Sequence, residues 1–256
     1  MIYIRSAFFL SILAVFTILF AVSCLLFFPF LSLIVRYNYT RFWNKTVMLM
    51  LRVFCNIHYE IKGLEYITKM MNEPVILLSK HQSAWETIAF IAIFPKQLCF
   101  VLKKELLHIP FFGWVLGMLG MIHIDRSKSD KAALMVAEQG RKRLADGRWI
   151  IIYPEGTRIA VGEFLPYKKG GSRLAVDTKA YILPIAHNAG HVWPKGSFLK
   201  YPGTVTVSIG PPISTKDKVA NIVHREVETW IEAEMHQIDR ASYSAEALAK
   251  RVAQSK

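Results

Sequence analysis

His81 and Glu86 stand five residues apart in the stretch Lys80-His81-Gln82-Ser83-Ala84-Trp85-Glu86-Thr87. Neutral imidazole, with an unperturbed pKa of about 6.5, can take a proton from a hydroxyl near neutral pH. A carboxylate bonded to its other ring nitrogen would fix the tautomer and stabilise the imidazolium that forms. The same residues also spell a capping box. In that reading Ser83 caps a helix and Glu86, at the third helical position, reaches back to the backbone. The two readings are compatible, because a carboxylate in the first turn can also reach toward His81.

The flanks place this pair. Val75-Ile76-Leu77-Leu78 reads as a buried strand, and Ile88 to Phe94 as a buried helix. The histidine then lies where a strand gives way to a helix, and open α/β sheets bind ligands in crevices at the carboxyl ends of strands. Three further strand ends carry polar groups: Lys103-Lys104, Asp125-Arg126 and Glu155-Gly156-Thr157-Arg158. If those strands neighbour that of His81, a basic pocket forms beside the imidazole. Arg and Lys hold phosphates, Arg in a bidentate way. Gly156 lets backbone N–H groups approach an anion, and Thr157 adds a hydroxyl donor. Lys168-Lys169-Gly170-Gly171-Ser172, before a short helix, is a second candidate anion site.

Other chemistries find little support. His187-x-x-x-His191 has metal-ligand spacing only in a helix, and Gly190 and Pro194 make a helix there improbable. No metal is expected. No G-x-S-x-G is present, which argues against a covalent acyl-enzyme. Cys24, Cys55 and Cys99 are three and scattered, with no C-x-x-C, so neither a disulfide framework nor a zinc site is expected.

The elements that must position these groups follow from periodicity. From Tyr59 onward short apolar strands alternate with helices, which means one α/β domain with a mixed sheet. Strands are expected at 58–63, 75–78, 98–102, 121–124, 149–153, 181–186 and 205–209. Helices are expected at 129–146, 172–179 and 217–238, with a broken one at 105–119. Domain limits are set at 1–58 for N-terminal membrane-anchoring helices, 59–239 for the α/β domain, and 240–256 for a polar tail.

The totals point to a membrane. The 256 residues are 53% hydrophobic, with a net charge of +13. Such a balance suits an anionic partner, and without a nucleic-acid motif the anionic phospholipid membrane is favoured over nucleic acid. Ala7 to Val35 is almost continuously apolar, ~43 Å if helical, where a bilayer core needs ~30 Å. Pro29 could end a single span or turn a re-entrant hairpin. Basic residues follow it at Arg36, Arg41, Lys45 and Arg52, which places the remainder in the cytoplasm. In a second helix at 42–57 the polar residues share an arc of about 120°, as suits a helix lying in the membrane interface, though a core helix of the domain fits too.

Taken together, four blocks resemble the 1-acylglycerol-3-phosphate acyltransferases of the glycerolipid acyltransferase group. That family's His-x4-Asp corresponds to His81-x4-Glu86. Its Gly-x-x-Phe-Ile-Asp-Arg corresponds to Gly120-Met121-Ile122-His123-Ile124-Asp125-Arg126. Its Phe-Pro-Glu-Gly-Thr-Arg corresponds to Tyr153-Pro154-Glu155-Gly156-Thr157-Arg158, and its apolar strand with proline to Ile182-Leu183-Pro184-Ile185-Ala186. Order and spacing match over roughly Tyr59 to Pro212. The departures are Glu86 for Asp, Lys80 for a frequent Asn, and Tyr153 for Phe.

The resemblance implies an enzyme of the bacterial inner membrane, its catalytic domain on the cytoplasmic face. It would acylate the sn-2 hydroxyl of lysophosphatidic acid from acyl-CoA or acyl carrier protein, giving phosphatidic acid without a resident cofactor. His81 would be the general base and Glu86 its partner. Lys103, Arg126, Gly156, Thr157 and Arg158 would hold the phosphate, and Glu155 would position the acceptor or the neighbouring loop. Alternatives are another acceptor, such as a lyso-ornithine lipid or glycerol 3-phosphate, a thioesterase, or a non-catalytic membrane lipid-binding protein.

Overall fold

The computed structural model of the protein describes residues 1–124 and 129–243. The chain opens with helix α1 (Ile2–Phe27). Its outward face carries Ile4, Phe8, Val15, Ile18, Val22 and Leu26, at helical spacing. By length and composition this helix could cross a membrane. Phe28-Pro29-Phe30 forms one 3-10 turn, and helix α2 (Leu33–Cys55) returns beside α1 as a helical hairpin. The apolar run expected to reach Val35 therefore breaks at Pro29, where the missing N–H and fixed φ end the first helix. Asn56, in left-handed conformation, closes α2.

Helix α2 is longer than expected, and one face of it is core. Val47, Leu51 and Cys55 are fully buried with the sheet residues, while Phe42, Lys45, Leu49, Arg52 and Val53 face outward. Burying side chains such as Val47 and Leu51 contributes roughly 1.5–3 kcal/mol each. One face of this helix is thus core, as the second reading expects, and the other presents apolar and basic side chains outward.

The domain then runs β1 (Ile57–Lys62), α3 (Leu64–Lys69), β2 (Val75–Ser79), α4 (Trp85–Ile93), β3 (Leu98–Lys103), α5 (Phe112–Met118), β4 (Ile122–Ile124), α6 (Ser129–Ala145), β5 (Trp149–Ile152), α7 (Gly170–Thr178), β6 (Tyr181–His187), β7 (Gly203–Ile209) and α8 (Ala220–Ile238). The short α3 was not foreseen. The strands form one mixed α/β sheet in the order β1-β7-β6-β2-β5-β3-β4. Strands β6, β2, β5, β3 and β4 run parallel, and β7 meets β6 antiparallel with β1 parallel beside it. Pro184 is tolerated inside this sheet because its neighbour bends away there. Gly210 N–H donates to the Pro184 carbonyl, and pairing resumes between Ile182 and Ile213.

From β2 the chain crosses β5 to reach β3, and from β5 it crosses back over β2 to β6. Consecutive right-handed crossovers in opposite directions lie on opposite faces. Helices α4 and α2 accordingly pack together, and α6, α7 and α8 form the other layer. The crevice between the carboxyl ends of β2 and β5 is thus a topological switch point. Tyr243, within the stretch expected as a polar tail, is fully buried.

Arg41, expected in the membrane-facing stripe, is instead a structural cap. Its guanidinium donates to the carbonyls of Ile91 (3.2 Å), Phe94 (2.6 Å), Pro95 (3.0 Å) and Lys96 (3.2 Å) at the end of α4. Arg36 likewise donates to the Met118 carbonyl at 3.1 Å. These carbonyls have no partner within their own helix. Arg41→Met is expected to destabilise the domain by about 2 kcal/mol, read as a lower thermal midpoint in detergent micelles. An unchanged midpoint would show that the cap is dispensable.

Candidate active site

Strand β2 delivers Lys80 and His81 to the switch point, and every residue of the turn that follows is tied down. The Lys80 N–H donates to the Ile185 carbonyl at 3.0 Å, and the Ile159 N–H donates to the His81 carbonyl at 2.9 Å. Gln82 accepts from the Gly190 N–H at 3.3 Å and donates to the Tyr243 hydroxyl at 2.7 Å. Ser83 Oγ donates to the Trp193 carbonyl at 2.6 Å and accepts from the Trp85 N–H at 3.1 Å. Helix α4 therefore begins at Trp85 with Ala84, not Ser83, as its cap residue.

Glu86 reaches both His81 and the backbone of the turn with one oxygen. Its Oε1 lies 2.8 Å from His81 Nδ1 and accepts the backbone N–H of Gln82 (3.0 Å) and Ser83 (2.8 Å). Burial acts to raise the Glu86 carboxyl. Charge on His187 and His81 and the hydrogen bonds from His81 and Ser83 outweigh that, so it falls below its ordinary value. Buried His187 is itself pushed down, first by desolvation, and is neutral at pH 7. The hydrogen bonds are accordingly what hold the carboxylate. An ionised Glu86 only accepts, so Nδ1 of His81 carries the proton and Nε2 has its lone pair free. The ring stacks on Tyr153, with centroids 3.8 Å apart and planes at 13°. The imidazole is thus fixed in tautomer and plane, with its side chain 16% exposed.

His81 opens onto a cavity of about 1220 Å³. One part is apolar, walled by Phe20 and Ala21 of α1, Trp43 of α2, Ile88 of α4 and Val115 and Leu119 of α5. The other part carries Lys103, Gly156, Thr157, Arg158, Lys168 and Arg173. These four basic side chains are exposed and form no ion pair among the described residues. The two anion sites read from the sequence therefore line one mouth. Gly156 has φ +72°, and a Cβ there would come within 2.8 Å of Lys168 Nζ. The positive φ, which side chains rarely adopt, is what calls for glycine there. Arg126, expected among the phosphate ligands, lies outside the described residues, as does Asp125.

Glu155 is not on the cavity wall. It is buried behind His81, whose N–H it accepts at 3.4 Å, and its Oε1 lies 3.6 Å from Lys80 Nζ. Its contacts are with the turn that carries His81 rather than with the cavity. His187, read only as a poor metal ligand, sits beneath the site. Its Nδ1 accepts from Ala189 N–H at 3.3 Å, so its Nε2 carries the proton and donates to the Lys80 carbonyl at 2.8 Å. His191 is turned away and meets Asp239 at 2.7 Å. Among the described residues no cluster of ligands could hold a metal. Lys80, Tyr167 and Glu232 were not anticipated. Glu232 reaches the site from α8, and nothing local in its sequence marks it.

Residues 58–188 match the Acyltransferase family. The chain belongs to that family. The 1-acyl-sn-glycerol-3-phosphate acyltransferase of Pseudomonas aeruginosa is 42% identical over 214 residues, 82% of each protein. The beta form of the human enzyme of that name is 28% identical over 180 residues, 70% of this chain and 64% of the human one. The crystal structure of the 1-acyl-sn-glycerophosphate acyltransferase of Thermotoga maritima superposes with a TM-score of 0.74, at 23% identity, over 91% of this chain and 94% of that one. The matched segment contains His81, Glu86, Lys103, Glu155, Gly156, Thr157, Arg158 and His187, while Glu232, Tyr243 and the cavity walls from α1 and α2 lie outside it.

Burial of Glu155 has a cost that can be measured. Desolvation pushes its carboxyl up to about 7, against the pull of Lys80. The unfolded chain ionises it near 4.5, so folding is opposed increasingly from there to about 7, and fully above. Glu155→Gln removes this penalty, which is at most about 3 kcal/mol from the size of the shift. The variant is expected to melt above the parent at about pH 8 and with it at about pH 4. Equal midpoints at both would show that Glu155 is not strained.

Proposed function

We propose that this acyltransferase moves an acyl chain from a thioester, acyl-CoA or acyl carrier protein, to the sn-2 hydroxyl of 1-acyl-glycerol 3-phosphate, giving phosphatidic acid. The observation that carries the reading is His81. Its Nδ1 is locked to Glu86, and its Nε2 side opens on a cavity apolar at one end and basic at the other. A lipid with one chain and one phosphate has the same polarity. The names of the similar Pseudomonas and human proteins support the same acceptor.

The chemistry follows from the tautomer. His81 Nε2 takes the proton of the acceptor hydroxyl as its oxygen attacks the thioester carbon. The C–O bond forms, the C–S bond breaks, and the imidazolium returns the proton to the departing thiolate. Glu86 stabilises the imidazolium between those two steps. No residue is acylated on the way. Arg158, Thr157 and the Gly156 backbone receive the phosphate, with Lys103 beside them and Arg126 completing the set. Positioning both lipids against a fixed base supplies much of the acceleration.

The helical hairpin sets the enzyme at the bilayer. Its apolar outward face enters the lipid, and Lys45 and Arg52 meet anionic headgroups. The basic residues after α1 support a cytoplasmic location for the domain, where the thioester donor is soluble.

The test is release of free thiol from a long-chain acyl-CoA by detergent-purified enzyme, with and without lysophosphatidic acid. Release should require the acceptor, with phosphatidic acid formed. Release without it would mean a thioesterase. His81→Ala should lower kcat by about 10³-fold with the melting curve intact. Arg158→Ala should raise the KM for lysophosphatidic acid about tenfold with little change in kcat, and an unmoved KM would remove it from the phosphate site.

A further inference from the structure

Lys80 is completely buried, which is unusual for a lysine. Its ammonium lies 2.7 Å from Glu232 Oε1 of α8 and 3.6 Å from Glu155 Oε1. The rings of Tyr167 and Tyr243 lie 5.6 Å from it, and Tyr167 donates its hydroxyl to Glu232 at 2.7 Å. Above this group Glu155 receives the His81 N–H, and Lys80 is the residue before His81 in the chain. A cation and a carboxylate out of water cost several kcal/mol each unless they are paired. Lys80 pairs with both carboxylates, and Glu155 in turn meets the backbone that carries the imidazole.

We propose that Lys80 and Glu232 form a positioning network for the catalytic base: Lys80 keeps Glu155 ionised beneath His81, Glu155 anchors the His81 backbone, and Glu232 shares the lysine so as to tune how firmly Glu155 is held. The chain of contacts supplies the logic. An ionised carboxylate accepts the His81 N–H about twice as strongly as a neutral carboxyl would. Lys80 favours that ionised form. Glu232 works against it twice, by repelling Glu155 and by occupying the ammonium at shorter range. The groups that face Glu155 are Lys80 and His81 at the end of β2, Tyr153 and Tyr167 of its own loop, and Glu232 of α8. Both tyrosines are pushed well above their ordinary values by burial and stay neutral. His187 and Tyr243 face Lys80. Only the two glutamates and the lysine then decide the balance. The proposal rests on the assignment of His81 as the base.

The two partners make predictions of opposite sign, which damage to the fold alone does not. Lys80→Met strips Glu155 of its cation. In the network proposed here the acid limb of the pH–rate profile follows loss of the Glu155 proton, so it should move up by about one unit. The kcat should fall about 10–100-fold with the KM for lysophosphatidic acid nearly constant, as for a base slightly misplaced. Glu232→Gln leaves Lys80 to Glu155 alone, so the same limb should move down. Melting temperatures against pH give an independent reading, because stability declines as Glu155 ionises. The upper end of that decline should shift up in Lys80→Met and down in Glu232→Gln.

Shifts of opposite sign in both readouts establish the network. Melts that move while the rate profile stays put make it structural only and overturn the proposal. A rate limb that is unmoved or moves up in Glu232→Gln overturns it too, and that arm stands even if Lys80→Met does not fold. Should the wild type show no acceptor-dependent transfer, the function proposed above fails, while the melts still report whether Lys80 and Glu232 govern Glu155.

Discussion

A carboxylate with no exposure must be given donors, and the site is built around that requirement. Glu86 sits in the first turn of α4, sealed from solvent. One of its oxygens collects His81 and two backbone N–H groups. Losing any of them would leave a buried charge short of a partner, at a cost of about 1–3 kcal/mol or more. The turn between β2 and α4 therefore has one shape. Residues far along the chain then fix that shape from outside: Ile159, Gly190, Trp193 and Tyr243 each bond a residue between His81 and Ser83. The histidine is rigid because the carboxylate behind it cannot be left unpaired.

The same logic runs a layer deeper with opposite sign. Glu86 is stabilised by its surroundings, whereas Glu155 is held at a carboxyl value raised to about 7. Two carboxylates within one site thus experience different environments, one rich in N–H donors and one reliant on a buried ammonium. Stability would be served by replacing the second; in the proposed network it is kept for its hold on the His81 backbone, which is the usual form of conflict between stability and activity. The fold accommodates the cost because its central strands β6, β2 and β5 are uninterrupted core, with Val75 to Leu78 and Ile150 to Ile151 almost wholly buried.

Much of this was legible in the sequence because the informative patterns are local. Apolar runs of strand length, the His81/Glu86 spacing and the Glu155–Arg158 strand end each occupy a few consecutive residues. A single α/β domain with a mixed sheet followed from the alternation of strands with helices. What was not legible depends on contacts across the chain. Arg41 looks like an interfacial cation until its carbonyl partners, some 50 residues on, are seen. Lys80 and Glu232 are 152 residues apart. A glutamate on a mixed charged helix carries no sign that it points inward. His187 was read by its spacing to His191, and the spacing was irrelevant, since the two rings belong to different surroundings. Short capping turns were also blurred: Ser83 has the residue type of a cap, but tertiary bonds to Trp193 claim its hydroxyl.

The longer carboxylate at position 86 is explained by the same geometry. An aspartate stops one C–C bond, about 1.5 Å, sooner. In this chain the glutamate begins one residue into α4, behind the turn it must serve, and the extra methylene lets Oε1 curl back over Ser83 and Gln82 while still meeting Nδ1. Helix start and side-chain length are therefore coupled. Because Ala84 rather than Ser83 takes the cap position, the backbone N–H groups of Gln82 and Ser83 are left facing inward, and a side chain must satisfy them. Glu86 does so with the oxygen that also orients His81. Capping the turn and orienting the imidazole are not rival uses of this residue: the donors that cap the turn hold the carboxylate ionised, and an ionised carboxylate is what sets the tautomer of His81.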